Sequence, residues 1–124
     1  MCSQISTEFR QELRAVIVRF PDPVTLKQIS EWIPRFVTIL EENEPNCTNL
    51  LLDTTRHNFE HIECLRLLKT TLTMEPVVLR NLKTVAFVQP KYVREPIRVS
   101  TREAYFASFE DALLDLQTTL SSSS

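Results

Sequence analysis

None of the 124 residues is glycine, where an average usage of about 7% would give roughly nine. Glycine is the one residue without a Cβ, so it is the default wherever backbone must turn left-handed or lie close to a ligand. A Walker A loop, a dinucleotide-binding GxGxxG turn and a GxSxG nucleophile elbow all depend on it. This chain has none of the three. Any left-handed turn is expected at an asparagine, the next most tolerant residue: Asn43, Asn46, Asn49, Asn58 or Asn81.

The remaining composition is that of an ordinary globular domain, 43% hydrophobic and 24% charged, and the length suits one domain with a genuine core. A net charge of −2 makes no electrostatic case for nucleic acid or an anionic membrane surface. Met1 to Glu8 is polar, so no secretory h-region is expected, and no segment approaches the ~20 apolar residues that span a bilayer. Cys2, Cys47 and Cys64 form an odd set without a CxxC, which suits a reduced, cytoplasmic protein.

Ser3 to Arg10 alternates Ile5, Thr7 and Phe9 at period two, and Leu13 to Phe20 carries the β-branched run Ala15-Val16-Ile17-Val18. Both are predicted strands, ended by Pro21 and Pro23. Thr25 with Gln28 is a capping box that opens a helix with the stripe Leu26, Ile29, Ile33, Phe36 and Leu40. Trp32 adjoins that stripe. Pro34 lies within it and is expected to kink the helix, and Asn43 to end it. Leu50-Leu51-Leu52-Asp53 has the form of a central strand covered on both faces. Thr54 to Asn58 is a polar loop, followed by a helix from about Phe59 to Leu72 with Ile62, Leu65, Leu68 and Leu72 inward. Pro76 interrupts, Val77 to Leu82 is a further helical turn, and Lys83 to Gln89 is the next strand. Lys91 to Glu103 is charged and irregular; Ala104 to Ala107 is a short strand. Ser108 and Asp111 make a second capping signal before a helix carrying Ala112, Leu113, Leu116 and Leu120. The chain is therefore expected to be a single α/β domain over residues 1–120, with a mixed sheet of four to five strands packed with helices. Ser121 to Ser124 would be a disordered tail.

Three segments carry a family likeness: the interrupted helix around Pro34, the strand Leu50 to Asp53 with its polar continuation, and the unit Ala104-Tyr105-Phe106-Ala107-Ser108-Phe109-Glu110-Asp111-Ala112-Leu113. On these the chain resembles the STAS-like, SpoIIAA-like superfamily, founded on bacterial anti-sigma factor antagonists, and within it a group of small bacterial proteins. The resemblance implies the STAS fold and a non-enzymatic regulatory or protein-interaction role, with a protein partner or a second copy as homodimer. It does not carry over the family's switch. Regulatory members have an Asp-Ser-Ser-Gly turn whose serine is phosphorylated. Here the stretch entering the corresponding helix is Asn58-Phe59-Glu60-His61-Ile62-Glu63-Cys64, with neither a hydroxyl nor a glycine.

Asp53, Thr54, Thr55, Arg56 and His57 set acid, hydroxyl, base and imidazole within five residues. They follow a strand end, where open α/β sheets bind ligands, so this loop is the first candidate for ligand or partner contact. The plainer account is that Asp53 caps backbone N–H groups in the turn and pairs with Arg56. His57, His61 and Cys64 fall at i, i+4 and i+7 and are suitable zinc or copper ligands, but Asn58 is a helix cap that takes His57 off the face, and Cys64 sits where the helix needs burial. No metal or other cofactor is expected. An enzyme using Asp53, His57 and His61 is the weakest reading, since no oxyanion turn accompanies them. A small apolar or acidic ligand held between the first helix and the sheet is the alternative to a protein partner. Arg94, Arg98 and Arg102 repeat at four after Lys91, but Pro96, Glu95 and Glu103 break and dilute the stripe, which is expected to be a solvated loop.

Overall fold

A computed structural model describes residues 5–21, 24–44, 46–54, 62–90 and 93–122. In chain order these form β1 (Ser6–Arg10), a 3-10 turn (Gln11–Leu13), β2 (Ala15–Arg19), α1 (Leu26–Glu42), β3 (Asn49–Asp53), α2 (Ile62–Met74), α3 (Pro76–Asn81), β4 (Thr84–Val88), β5 (Ile97–Arg98), β6 (Glu103–Phe106) and α4 (Phe109–Ser122). The strands make one mixed sheet in the order β1-β2-β3-β4-β6-β5. The central four are parallel and the two edges antiparallel. The sheet thus has six strands, not four to five. The addition is β5, inside the stretch expected to be irregular: its two residues carry no apolar run, and they are extended because Ile97 and Arg98 pair with Tyr105 and Ala104.

Side-chain alternation splits the core in two. Val16, Val18, Leu50, Leu52, Val85 and Phe87 face α1, α2 and α3. Ala15, Ile17, Leu51, Ala86, Val88, Ala104 and Phe106 face α4. Burial on both faces is why the parallel strands are continuous apolar runs.

The capping box forms: Thr25 Oγ1 accepts from the Gln28 amide at 3.1 Å while Gln28 Oε1 accepts from the Thr25 amide at 2.8 Å. The buried stripe of α1 is Ile29, Trp32, Phe36 and Leu40, all at 0% exposure. Leu26 lies off it, 40% exposed, and Ile33 is half-buried. Trp32 occupies the place those two were expected to share because its indole N–H finds a partner, Thr7 Oγ1 on β1, at 2.8 Å. It stacks on Phe36 and meets Phe20 edge-on, with centroids at 4.7 and 6.0 Å. The helix runs through Pro34 without a break; that ring is on the exposed side, where water can satisfy the carbonyl it leaves unbonded.

The left-handed turn falls on Arg14, at φ 50°, and on no asparagine among the described residues; Asn43 ends α1 at φ −110°. Leu13 must bury and β2 must begin at Ala15, so the chain reverses at the residue between. Hydrogen bonds hold it there: the Arg14 amide donates to Gln11 O at 3.1 Å, and its carbonyl accepts from the Thr48 and Asn49 amides at 2.9 and 3.0 Å. α2 is described from Ile62 to Met74 with Leu68 and Leu72 buried; the predicted start at Phe59 and the side chains of Ile62 and Leu65 lie outside the described residues. Ser108 Oγ accepts from the Asp111 amide at 3.1 Å as expected of a cap. α4 continues to Ser122, two residues into the serine stretch.

Candidate functional site

β2 and β3 are parallel and in register from Ala15↔Asn49 to Arg19↔Asp53, so their terminal charged residues meet at the carboxyl end of the sheet, on the face covered by α4. Arg19 Nε lies 3.7 Å from Asp53 Oδ2, with the arginine side chain 48% exposed and the aspartate 14%. The guanidinium carbon stands 4.7 Å from the centre of the Phe109 ring, a cation–π contact from the first residue of α4. Among the described residues this guanidinium makes no hydrogen bond beyond its approach to Asp53.

Arg19, Phe20, Pro21, Asp53, Pro90 and Phe109 line a cleft of about 550 Å³. Its floor is fixed by backbone bonds that prolong the sheet: Phe20 to Asp53 O at 3.2 Å, Thr54 to Val88 O at 3.1 Å and Gln89 to Phe106 O at 2.9 Å. β2 and β3 lead to helices on one face, whereas β6 leads to α4 on the other. The cleft therefore opens where the chain changes sides, the position at which open α/β sheets bind ligands. An apolar wall with one ion pair at its base can receive a group that has an apolar body and a charged tip.

Of the predicted site residues, Asp53 lies in this cleft. Thr54 is adjacent but buried, and its hydroxyl donates to Val88 O, so it ties β3 to β4. Thr55, Arg56 and His57 lie outside the described residues, as does His61. The expected pairing of Asp53 with Arg56 lies outside the described residues; within them Asp53 pairs with Arg19, one strand away. Sequence reasoning missed it, although a signal was present: the runs Val16-Ile17-Val18 and Leu50-Leu51-Leu52 each end in a charge, of opposite sign, at the same offset. Cys64 is a core residue at 0% exposure, its Sγ 3.8 Å from Val24 O. The space between α1 and the sheet, proposed for a small ligand, is filled by Trp32, Phe36, Leu40, Val18 and Leu52, all at 0% exposure. A smaller pocket of about 220 Å³ lies at the outer edge of α1, between Ile5 and Gln28, Glu31 and Arg35, while the larger cleft is across the sheet.

Two titrating groups are moved by their surroundings. Burial pushes the Cys47 thiol up to about 11, partly offset by a backbone hydrogen bond at Val16. Tyr105 rises to about 12, mainly through desolvation and then through the bond its hydroxyl donates to Glu103 Oε2 at 2.8 Å. Among the described residues, no helix is long and apolar enough to cross a membrane. No protein-family model matches the chain, and no curated protein matches it.

Proposed function

We propose that the chain is a non-enzymatic, STAS-like recognition module, and that its carboxyl-end cleft receives an acidic side chain of a protein partner or of a second copy. The observation that carries this reading is Arg19: exposed, paired with Asp53, braced against Phe109 at the base of the cleft, and without a hydrogen bond among the described residues. A guanidinium held flat on a ring has lost little further freedom when it grips a carboxylate bidentately. The strand-and-helix order supports the STAS-like part of the reading. With no Asp-Ser-Ser-Gly turn in the sequence, docking would not be governed by that family's phosphorylation switch.

A small acidic ligand is the second reading, favoured by a cleft volume within the ~300–1,000 Å³ usual for small-molecule sites. Titration of the protein with an acidic hexapeptide, followed by calorimetry, tests the shared chemistry: Arg19→Gln lowers affinity about tenfold or more, as loss of a charge-assisted hydrogen bond does. Equal binding by wild type and Arg19→Gln contradicts both readings. Native mass spectrometry separates them, since a co-purifying small mass displaced by the peptide supports the second.

A further inference from the structure

The two edges of the sheet are built differently. β5 is two residues long, one of them Arg98, and follows Pro96; shortness, charge and proline are what keep an edge from recruiting another chain. β1 is five residues long and contains neither proline nor lysine. The direction of its free backbone groups follows from the ladder. The Phe20 amide donates to Asp53 O, so alternate residues of β2 face β3, and Ala15, Ile17 and Arg19 face β1. Those three pair with Arg10, Glu8 and Ser6, whose amides and carbonyls are therefore directed at β2. The amides and carbonyls of Thr7 and Phe9 point away from the sheet, and among the described residues no other element bonds to them.

Side chains along this edge alternate in the same way. Ile5, Thr7 and Phe9 lie on the α1 face: Ile5 is buried, Thr7 accepts from the Trp32 indole, and Phe9 is half-buried against the core. Ser6 and Glu8 lie on the other face and are exposed. The pocket of about 220 Å³ opens beside Ile5, where the stems of Gln28, Glu31 and Arg35 form an amphipathic wall. A knob, Phe9, and a hole beside Ile5 thus share one strand edge, four residues apart. Two copies related by a twofold axis at Thr7 set Phe9 of each against Ile5 of the other, Thr7 against Thr7 and Ser6 against Glu8. Aromatic against β-branched and threonine against threonine are favourable cross-strand pairs. An axis at Glu8 opposes two carboxylates, which is unfavourable. An axis at Phe9 carries the ladder into the 3-10 turn that begins at Gln11.

We propose that β1 is the edge at which a second copy of this chain joins, in the Thr7 register, so that two six-stranded sheets run on into one. The outward amides and carbonyls of the two strands satisfy each other, and each Phe9 ring enters the pocket beside the other copy's Ile5. Every contact occurs twice about the axis, so the association closes at a dimer. This pairing lies apart from the carboxyl-end cleft and does not rest on what that cleft receives.

Sedimentation equilibrium of the full chain reads the mass, and cysteine cross-linking in a Cys2→Ser background reads the register. The wild type is expected to sediment as a dimer. Phe9→Ala is expected to raise its dissociation constant about tenfold or more, and Ile97→Lys on the opposite edge to leave it unchanged. In the Thr7 register residues 6 and 8 of the two copies face each other at a non-hydrogen-bonded site, about 4.5 Å apart at Cα, which a disulfide can span. A mixture of Ser6→Cys and Glu8→Cys proteins is therefore expected to cross-link on mild oxidation, and neither variant by itself. Both positions are exposed, so a folding defect in Phe9→Ala cannot imitate that result. A wild type that stays monomeric at the highest concentration reached, a dimer that Ile97→Lys weakens equally, a mixture that does not cross-link, or cross-linking by Glu8→Cys alone would each overturn the proposal.

Discussion

The four parallel strands end in a matched pair of charges and begin in an unmatched row of them. At the carboxyl end Arg19 answers Asp53 and leans on Phe109, with Glu110 also in the lining and Phe20, Pro21 and Pro90 around them. At the amino end Arg14, Lys83 and Arg102 stand immediately before three of the strands, and Arg98 on the edge hairpin pairs with Asp115. The strands between are the same apolar runs in the same register. Core packing therefore fixes where both rims sit but not what they carry, and the two ends are free to differ chemically.

The polar ties of the two ends also differ in weight, which substitution can expose. Asn49 Nδ2 donates to Leu13 O at 3.1 Å and to Arg14 O at 3.4 Å, and its Oδ1 accepts from Thr84. Removing it leaves several partly buried groups unpaired, so Asn49→Ala is expected to cost about 2–3 kcal/mol in urea denaturation. At the carboxyl end Thr54→Val removes one hydroxyl bond to Val88 O and is expected to cost about 1–2 kcal/mol. Equal losses would mean that the amino-end network is not the heavier tie.

A smaller effect depends on pH and belongs to the amino end, where Cys47 is buried just before β3. Its thiol is raised from an ordinary 9.0 to about 11, so the folded state holds the neutral form while the unfolded chain ionises sooner. The stabilisation is complete below about pH 9 and is lost as pH rises toward 11, amounting to about 1 kcal/mol by pH 10. Denaturation at stepped pH measures it, and Cys47→Ala should flatten the slope. Tyr105→Phe controls for the tyrosine, which titrates in the same direction at higher pH. Arg19→Gln should alter stability least, by under about 1 kcal/mol, because half-exposed ion pairs contribute little, while abolishing most peptide binding.

Much of the architecture was legible because local signals agree with burial. The β-branched run of β2 and the apolar run of β3 name themselves, and the Thr25 capping box and the Ser108 cap form where their sequences place them. What was not legible came from pairing across the sheet. β5 is extended only because β6 lies beside it. Arg14 turns left-handed because Leu13 and Ala15 must both be buried, which no propensity at residue 14 announces. Asp53 was visible as a strand-end carboxylate, yet its partner Arg19 is 34 positions earlier and becomes a neighbour only through the parallel register. The same holds for Arg98 and Arg102, whose four-residue spacing suggests a helix face until the hairpin sends one to Asp115 on α4 and the other to Leu72 on α2.

The most direct test of the claim that the carboxyl-end cleft is the recognition site is an amide chemical-shift map of the labelled protein with an acidic hexapeptide. The account predicts shifts at Arg19, Asp53, Gln89 and Phe109, with Thr84 and Ala104 unmoved. Shifts that gather at the amino-end rim instead would show that the peptide follows net positive charge, and would contradict the assignment of recognition to the cleft.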